Sequence, residues 1–73
     1  MEKYQERMLA ELMELNEKVV KLNAFLDTDT YKNLDEHRRV LLVLQRNAME
    51  QYSVILACRC IAEGISIGDI LTL

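Results

Sequence analysis

The chain has 73 residues, 51% of them hydrophobic, with no proline, two glycines and a formal net charge of −3. This length allows one domain and buries so little surface that the chain is marginal on its own. The acidic balance excludes general nucleic-acid binding, which needs a basic face, and no apolar run reaches the about 18 residues of a membrane span.

The N-terminal MEKYQERM is charged and lacks the apolar stretch of a signal peptide, so a cytoplasmic location is expected. A first helix is expected over about residues 2–26. Apolar residues fall at Met8, Leu12, Leu15, Val19, Leu22 and Leu26, in steps of four and three. That period of 3.5 marks the seam of a packed or coiled helix, whereas a strand alternates with period two. Glu2, Glu6 and Glu11 lie toward its N-terminal half, and Lys18 and Lys21 toward its C-terminal end, an order that complements the helix dipole. Glu14–Lys18 and Glu17–Lys21 are pairs four residues apart, each contributing about 0.3 kcal/mol. A second row, Leu9, Met13, Val20 and Ala24, flanks the seam and is interrupted by Asn16 and Asn23. A face this wide touches more than one neighbour. The two asparagines either fix register within an oligomer or sit at its wet edge.

Asp27-Thr28-Asp29-Thr30 breaks the helix, because Asp and Thr compete for backbone hydrogen bonds, and a loop is expected over residues 27–33. Its Asp-x-Asp spacing is not a calcium loop: Tyr31 stands where the third oxygen ligand belongs and Lys32 where glycine belongs. Tyr31 and Leu34 are expected to fold back onto the closed end of a hairpin. A second helix is expected over about residues 34–63. Asn33-Leu34-Asp35-Glu36 has capping-box form, Thr30 is an alternative cap, and Gly64 suits the position after the helix end. One of its rows reads Leu41, Leu44, Ala48, Ile55, Cys58, Ala62; the other reads Leu42, Gln45, Met49, Tyr52, Leu56, Arg59. Both are largely apolar, so burial on a broad face is expected. In the apolar tail, residues 64–73, at least Ile65 and Ile67 are expected to dock. Cys58 and Cys60, two apart on a helix, point to nearly opposite sides and cannot pair with each other. They read as buried thiols of a reducing cytosol.

The fold expected is all-α: a single domain, 1–73, forming a long antiparallel two-helix hairpin that assembles into a homo-oligomeric helical bundle. A lone hairpin cannot cover this much apolar surface.

A hairpin closing near Thr30 sets Tyr4 and Arg7 beside the stretch from Tyr52 to Arg59. Lys3, Tyr4, Arg7, Tyr52 and Arg59 then gather at the open end as a candidate ligand site. Aromatic faces stack on bases and guanidinium groups fork onto phosphates, which suits a nucleotide-sized anion. The competing reading puts Tyr52 in the core, lets Arg59 snorkel and pairs Arg7 with Glu11. His37-Arg38-Arg39 is a second basic cluster, diluted by Asp35 and Glu36, and reads as a solvated face. No nucleophile has a base beside it, no carboxylate pair stands out, and there is no glycine-rich phosphate loop or metal constellation. No enzymatic activity, cofactor or metal is expected.

Tyr4-Gln5-Glu6-Arg7, Glu11-Leu12, Lys21-Leu22 and Ala24-Phe25-Leu26 form a pattern with Leu41-Leu42, Gln45, Met49, Tyr52, Leu56, Arg59 and Ala62-Glu63-Gly64-Ile65. Over residues 4–65 it resembles a group of very small helical-hairpin proteins encoded by bacteriophages and prophages, including crAss-like phages. In size and hairpin design the chain is also similar to the anti-CBASS and anti-Thoeris sponges of phages. Those proteins trap cyclic nucleotide immune signals between protomers, with sites of tyrosine, lysine, arginine and threonine. The resemblance implies a phage accessory anti-defence protein in the host bacterial cytosol. It would sequester a nucleotide-type immune signal, a cyclic oligonucleotide or cyclic ADP-ribose-like molecule, without turnover. The alternative is an inhibitor or adaptor that engages a host defence protein through the acidic surface of helix 1, at Glu6, Glu11, Glu14 and Glu17.

Overall fold

The structure, a computed structural model, describes residues 1–67. Three helices follow one another: α1, Lys3–Leu26; α2, Asp29–Lys32; and α3, Glu36–Ala62. The two long helices lie antiparallel, with Tyr4 beside Glu63 at the open end and Asn23 beside Glu50 toward the closed end. The resulting rod measures 46 × 18 × 16 Å.

Local chemistry sets each boundary. The Glu2 N–H donates to Oε1 of Gln5 at 2.9 Å, as in a capping box, and starts α1. Residues 27–33, expected as a loop, contain the one-turn helix α2. Thr28 caps it by accepting from the Tyr31 N–H at 3.2 Å and donates to the Phe25 carbonyl at 2.6 Å. Asn33 therefore closes α2, and Asp35 rather than Asn33 caps α3 by accepting from the Arg38 N–H at 3.2 Å. Gly64 takes the left-handed conformation with φ 77°, which a side chain would resist. The Gly64 N–H reaches the Ile61 carbonyl at 2.9 Å and the Ile65 N–H reaches that of Cys60 at 3.0 Å, closing α3 in a Schellman turn.

That turn folds the chain back, so Ile65 and Ile67 dock as expected and bury against Leu12, Leu56, Ala57 and Cys60. Ile70, Leu71 and Leu73 of the apolar tail lie outside the described residues. The core sits entirely at the open end. No residue between Leu12 and Leu56 is fully buried, and toward the closed end the helices meet through half-buried side chains.

The α1 seam faces α3 as its period requires. On α3, the row facing α1 is Leu42, Arg46, Met49, Ser53, Leu56 and Cys60, each half-buried or buried. The other apolar row, expected to share the burial, turns outward: Leu41, Leu44 and Ile55 are 51%, 57% and 54% exposed. Asn16 and Asn23 pin the register between the two helices. Asn16 accepts a hydrogen bond from the Ser53 hydroxyl. Asn23 donates to Glu50 at 3.4 Å and accepts from Arg46 at 3.5 Å. Of the two surface ion pairs read from the sequence, Glu17–Lys21 closes at 3.6 Å.

The two cysteines differ in environment: Cys58 is exposed, Cys60 is buried, and burial pushes the Cys60 thiol up. Thiolate is the reactive form, so in the dilute single chain Cys58 is expected to alkylate first and Cys60 only on unfolding. Peptide mapping after a brief iodoacetamide pulse reads this directly, and equal modification of both thiols in the folded protein would contradict the docked Ile65–Ile67 segment.

Candidate functional site

At the open end, α1 and α3 share a flank that carries Tyr4, Glu11, Tyr52, Arg59 and Glu63. The Tyr4 hydroxyl donates to Oε2 of Glu63 at 2.9 Å, and the Tyr52 hydroxyl donates to Oε1 of Glu11. Gln5 adds a bond to the Glu63 carbonyl at 3.2 Å. Tyr4 thus lies level with Glu63 rather than beside Tyr52, because α2 lengthens the connection and shifts the register. The two phenol–carboxylate pairs lie at different levels of the rod, seven residues apart on α1 and eleven on α3. Both rings stay accessible, but each hydroxyl is committed to a carboxylate. Lys3, Arg7 and Arg59 are exposed, and their side chains make no hydrogen bond or ion pair among the described residues. Arg7 does not pair with Glu11, whose carboxylate takes the Tyr52 hydroxyl instead.

These contacts have a pH signature. The hydrogen bond to Glu63, then partial desolvation and the Glu63 charge, hold the Tyr4 phenol above its ordinary value. Glu11 does the same for Tyr52 in the same order, against a smaller opposing pull from Arg59. Phenols raised on folding stabilise the protein fully below the unfolded value of about 10, and the contribution is lost as pH climbs through the folded values. Glu11→Gln is expected to lower the titration midpoint of Tyr52 in an alkaline ultraviolet titration while leaving that of Tyr4 in place. An unchanged Tyr52 midpoint would show that the pair does not persist in solution.

A cavity of about 340 Å³ opens at the other end of the rod, lined by Tyr31, Glu36, Arg39, Val40, Val43 and Leu44. Its volume lies at the lower end of the range for small-molecule sites, about 300–1,000 Å³. The α2 turn holds Tyr31 in the wall, where the ring meets Phe25 edge-on, with centroids 6.3 Å apart at 73°. The Tyr31 hydroxyl points along α3 to the Arg39 carbonyl, 3.5 Å away. Arg39 is half-buried, and its Nε is fully covered without a hydrogen-bond partner. A covered guanidinium nitrogen with no partner carries a cost to the folded chain. The cavity therefore combines an aromatic residue, three aliphatic ones, one carboxylate and one guanidinium.

Arg39 was hidden in the sequence inside the run His37-Arg38-Arg39. Its spacing to Val43 and Arg46, four and seven residues on, places it on the side of α3 that turns toward α1. Arg38, by contrast, pairs with Asp35 at 3.4 Å on the surface.

A family model described as Sequestin matches residues 2–61. The chain belongs to the Sequestin family. The match spans α1, α2 and all but the last residue of α3, and so includes both ends of the rod. No curated protein and no solved structure matches the chain. The name Sequestin points to sequestration and leaves open what is held. Among the described residues no helix is long and apolar enough to cross a membrane, and no cluster of three or more potential ligands could hold a metal ion.

Proposed function

We propose that the protein sequesters a small anionic nucleotide-type signal, binding it without turnover, as a phage accessory protein acting against a host defence. The single observation that carries this reading is the closed-end cavity, which sets Arg39 and Tyr31 in one lining. The two terminal nitrogens of a guanidinium can fork onto a phosphate. Tyr31 supplies a face for base stacking, Val40, Val43 and Leu44 supply apolar contact, and Glu36 accepts from base N–H groups. Membership of the Sequestin family supports the holding role.

Lys3, Tyr4, Arg7, Tyr52 and Arg59 are the competing location at the open end. A phosphate there must displace or tolerate the Glu11 and Glu63 carboxylates, which favours the closed end. Calorimetry with cyclic di- and trinucleotides and cyclic ADP-ribose isomers tests the function, and Arg39→Ala beside Arg7→Ala and Arg59→Ala tests the place. Binding lost with Arg39→Ala alone supports the closed-end cavity, and binding lost only with the other two moves the site to the open end. Absence of heat from every nucleotide overturns the reading. Stoichiometric capture of a host protein would then favour an inhibitor acting through Glu6, Glu14 and Glu17.

A further inference from the structure

The outward row of α3 is an unpartnered seam. It steps Leu41, Leu44, Ala48, Gln51, Ile55, Cys58, Ala62, in threes and fours, and carries no charge. Its pattern is that of a helix packed on a second helix, yet in the single chain it faces solvent. The chain exposes 5430 Å². A compact protein of 8.5 kDa exposes about 4,700 Å² by size scaling. The excess goes with the elongated rod, which leaves Leu41, Leu44 and Ile55 outward.

We propose that two copies pair antiparallel through this row, about a two-fold axis at Gln51, and that each copy closes the other's ligand cavity. Three features select this partner and this register. Gln51 is the only polar member of the row and stands at its midpoint, where a two-fold axis lets its amide bond reciprocally with its own copy. About that axis large residues meet small ones: Leu44 faces Cys58 of the partner subunit, Ile55 faces the partner's Ala48, and Leu41 faces the partner's Ala62. Parallel pairing would instead set Leu44 on Leu44 and Ala48 on Ala48, crowding one level and leaving the next empty. Charge agrees with the antiparallel choice. It brings Arg38 level with Glu63 of the partner subunit, whereas the parallel arrangement stacks two His37-Arg38-Arg39 clusters.

The cavity lies on the edge of this seam, since Leu44 belongs to the row and lines the cavity with its neighbour Val40. A two-fold axis across the pair keeps like flanks on one side. Cys58, Ile61 and Ala62 of the partner subunit therefore roof the cavity, which accounts for Ile61 being 56% exposed in the single chain. The closure rests on the sequestration reading, but the pairing does not.

Disulfide mapping tests it. In the antiparallel register Cys58 lies about 21 Å from Cys58 of the partner subunit, fourteen residues of helical rise, and a disulfide needs Cα atoms within about 7 Å. The native chain is therefore expected to resist oxidation to a dimer. Leu44→Cys is expected to oxidise to a dimer linked between position 44 of one copy and Cys58 of the other. Gln51→Cys in a Cys58→Ser chain is expected to link position 51 to itself, a check that does not depend on the first variant folding. Linkage of Cys58 to Cys58, or monomer alone from both variants at micromolar concentration, overturns the pairing. Calorimetry on the native chain, beside its sedimentation, separates the two proposals. Two nucleotides per dimer support both, and a native dimer that binds none leaves the pairing standing while the sequestration reading falls.

Discussion

Arg39→Ala is expected to weaken nucleotide binding by about ten- to a hundredfold with the helical content unchanged. The side chain is half-buried and lines the cavity with Tyr31. A hydrogen bond to a charged group contributes about 1.5–3 kcal/mol, and each 1.4 kcal/mol is about a factor of ten in affinity. Arg39→Lys keeps the charge but loses the fork and is expected to recover only part of the loss. Arg39→Ala also removes an unsatisfied buried donor from the free protein, so the alanine chain is expected to melt no lower than the parent. Weaker binding together with equal or higher thermal stability separates a ligand-holding role from a structural one. Calorimetric titration beside a thermal melt reads both.

Leu56→Ala carries the largest expected cost to folding. Leu56 is fully buried, and with Leu12, Cys60 and the returning Ile65 and Ile67 it forms almost the whole core. Removing such a side chain from a close-packed interior costs about 2–5 kcal/mol. Folded proteins hold only about 0.05–0.15 kcal/mol per residue, so a chain of this length has about 4–11 kcal/mol to lose from. The alanine chain is expected to be partly or wholly unfolded at physiological temperature, with a far lower denaturation midpoint in urea. Ile55→Ala, one residue away on the outward face, is the control. It is expected to leave a dilute single chain folded and to lower stability only where copies associate. Equal costs for the two would mean that the core does not lie where the open-end packing puts it.

Much of the architecture is legible in the residue pattern because two long helices follow from it. The Met8–Leu26 seam, the charge order along α1 and Gly64 after α3 each act locally. The α2 turn is less legible. Thr28 can cap only if Asp27 leaves the helix first, and Asp, Thr and Asn offer several competing caps over a few residues. That single turn moves the register by more than a helical turn, which is why Tyr4 meets Glu63 rather than Tyr52. Which apolar row of α3 meets α1 is also undecided by periodicity, since both rows have the same spacing. Polar matching decides it: Ser53 and Arg46 find Asn16 and Asn23 only when their row faces inward. Reading those four residues as partners would have turned the Leu41–Leu44–Ile55 row outward. It would also have drawn Arg39 out of its linear cluster and into the wall beside Tyr31.

The central claim is that a nucleotide is held and not consumed. The most direct measurement incubates the protein with an equimolar cyclic dinucleotide, removes the free fraction by filtration, unfolds the retained protein by heat and analyses what is released. The account requires the nucleotide to be depleted from the filtrate and recovered chemically intact in full after heating. A filtrate that keeps all of the nucleotide, or a release that contains a linearised or cleaved product, would contradict it.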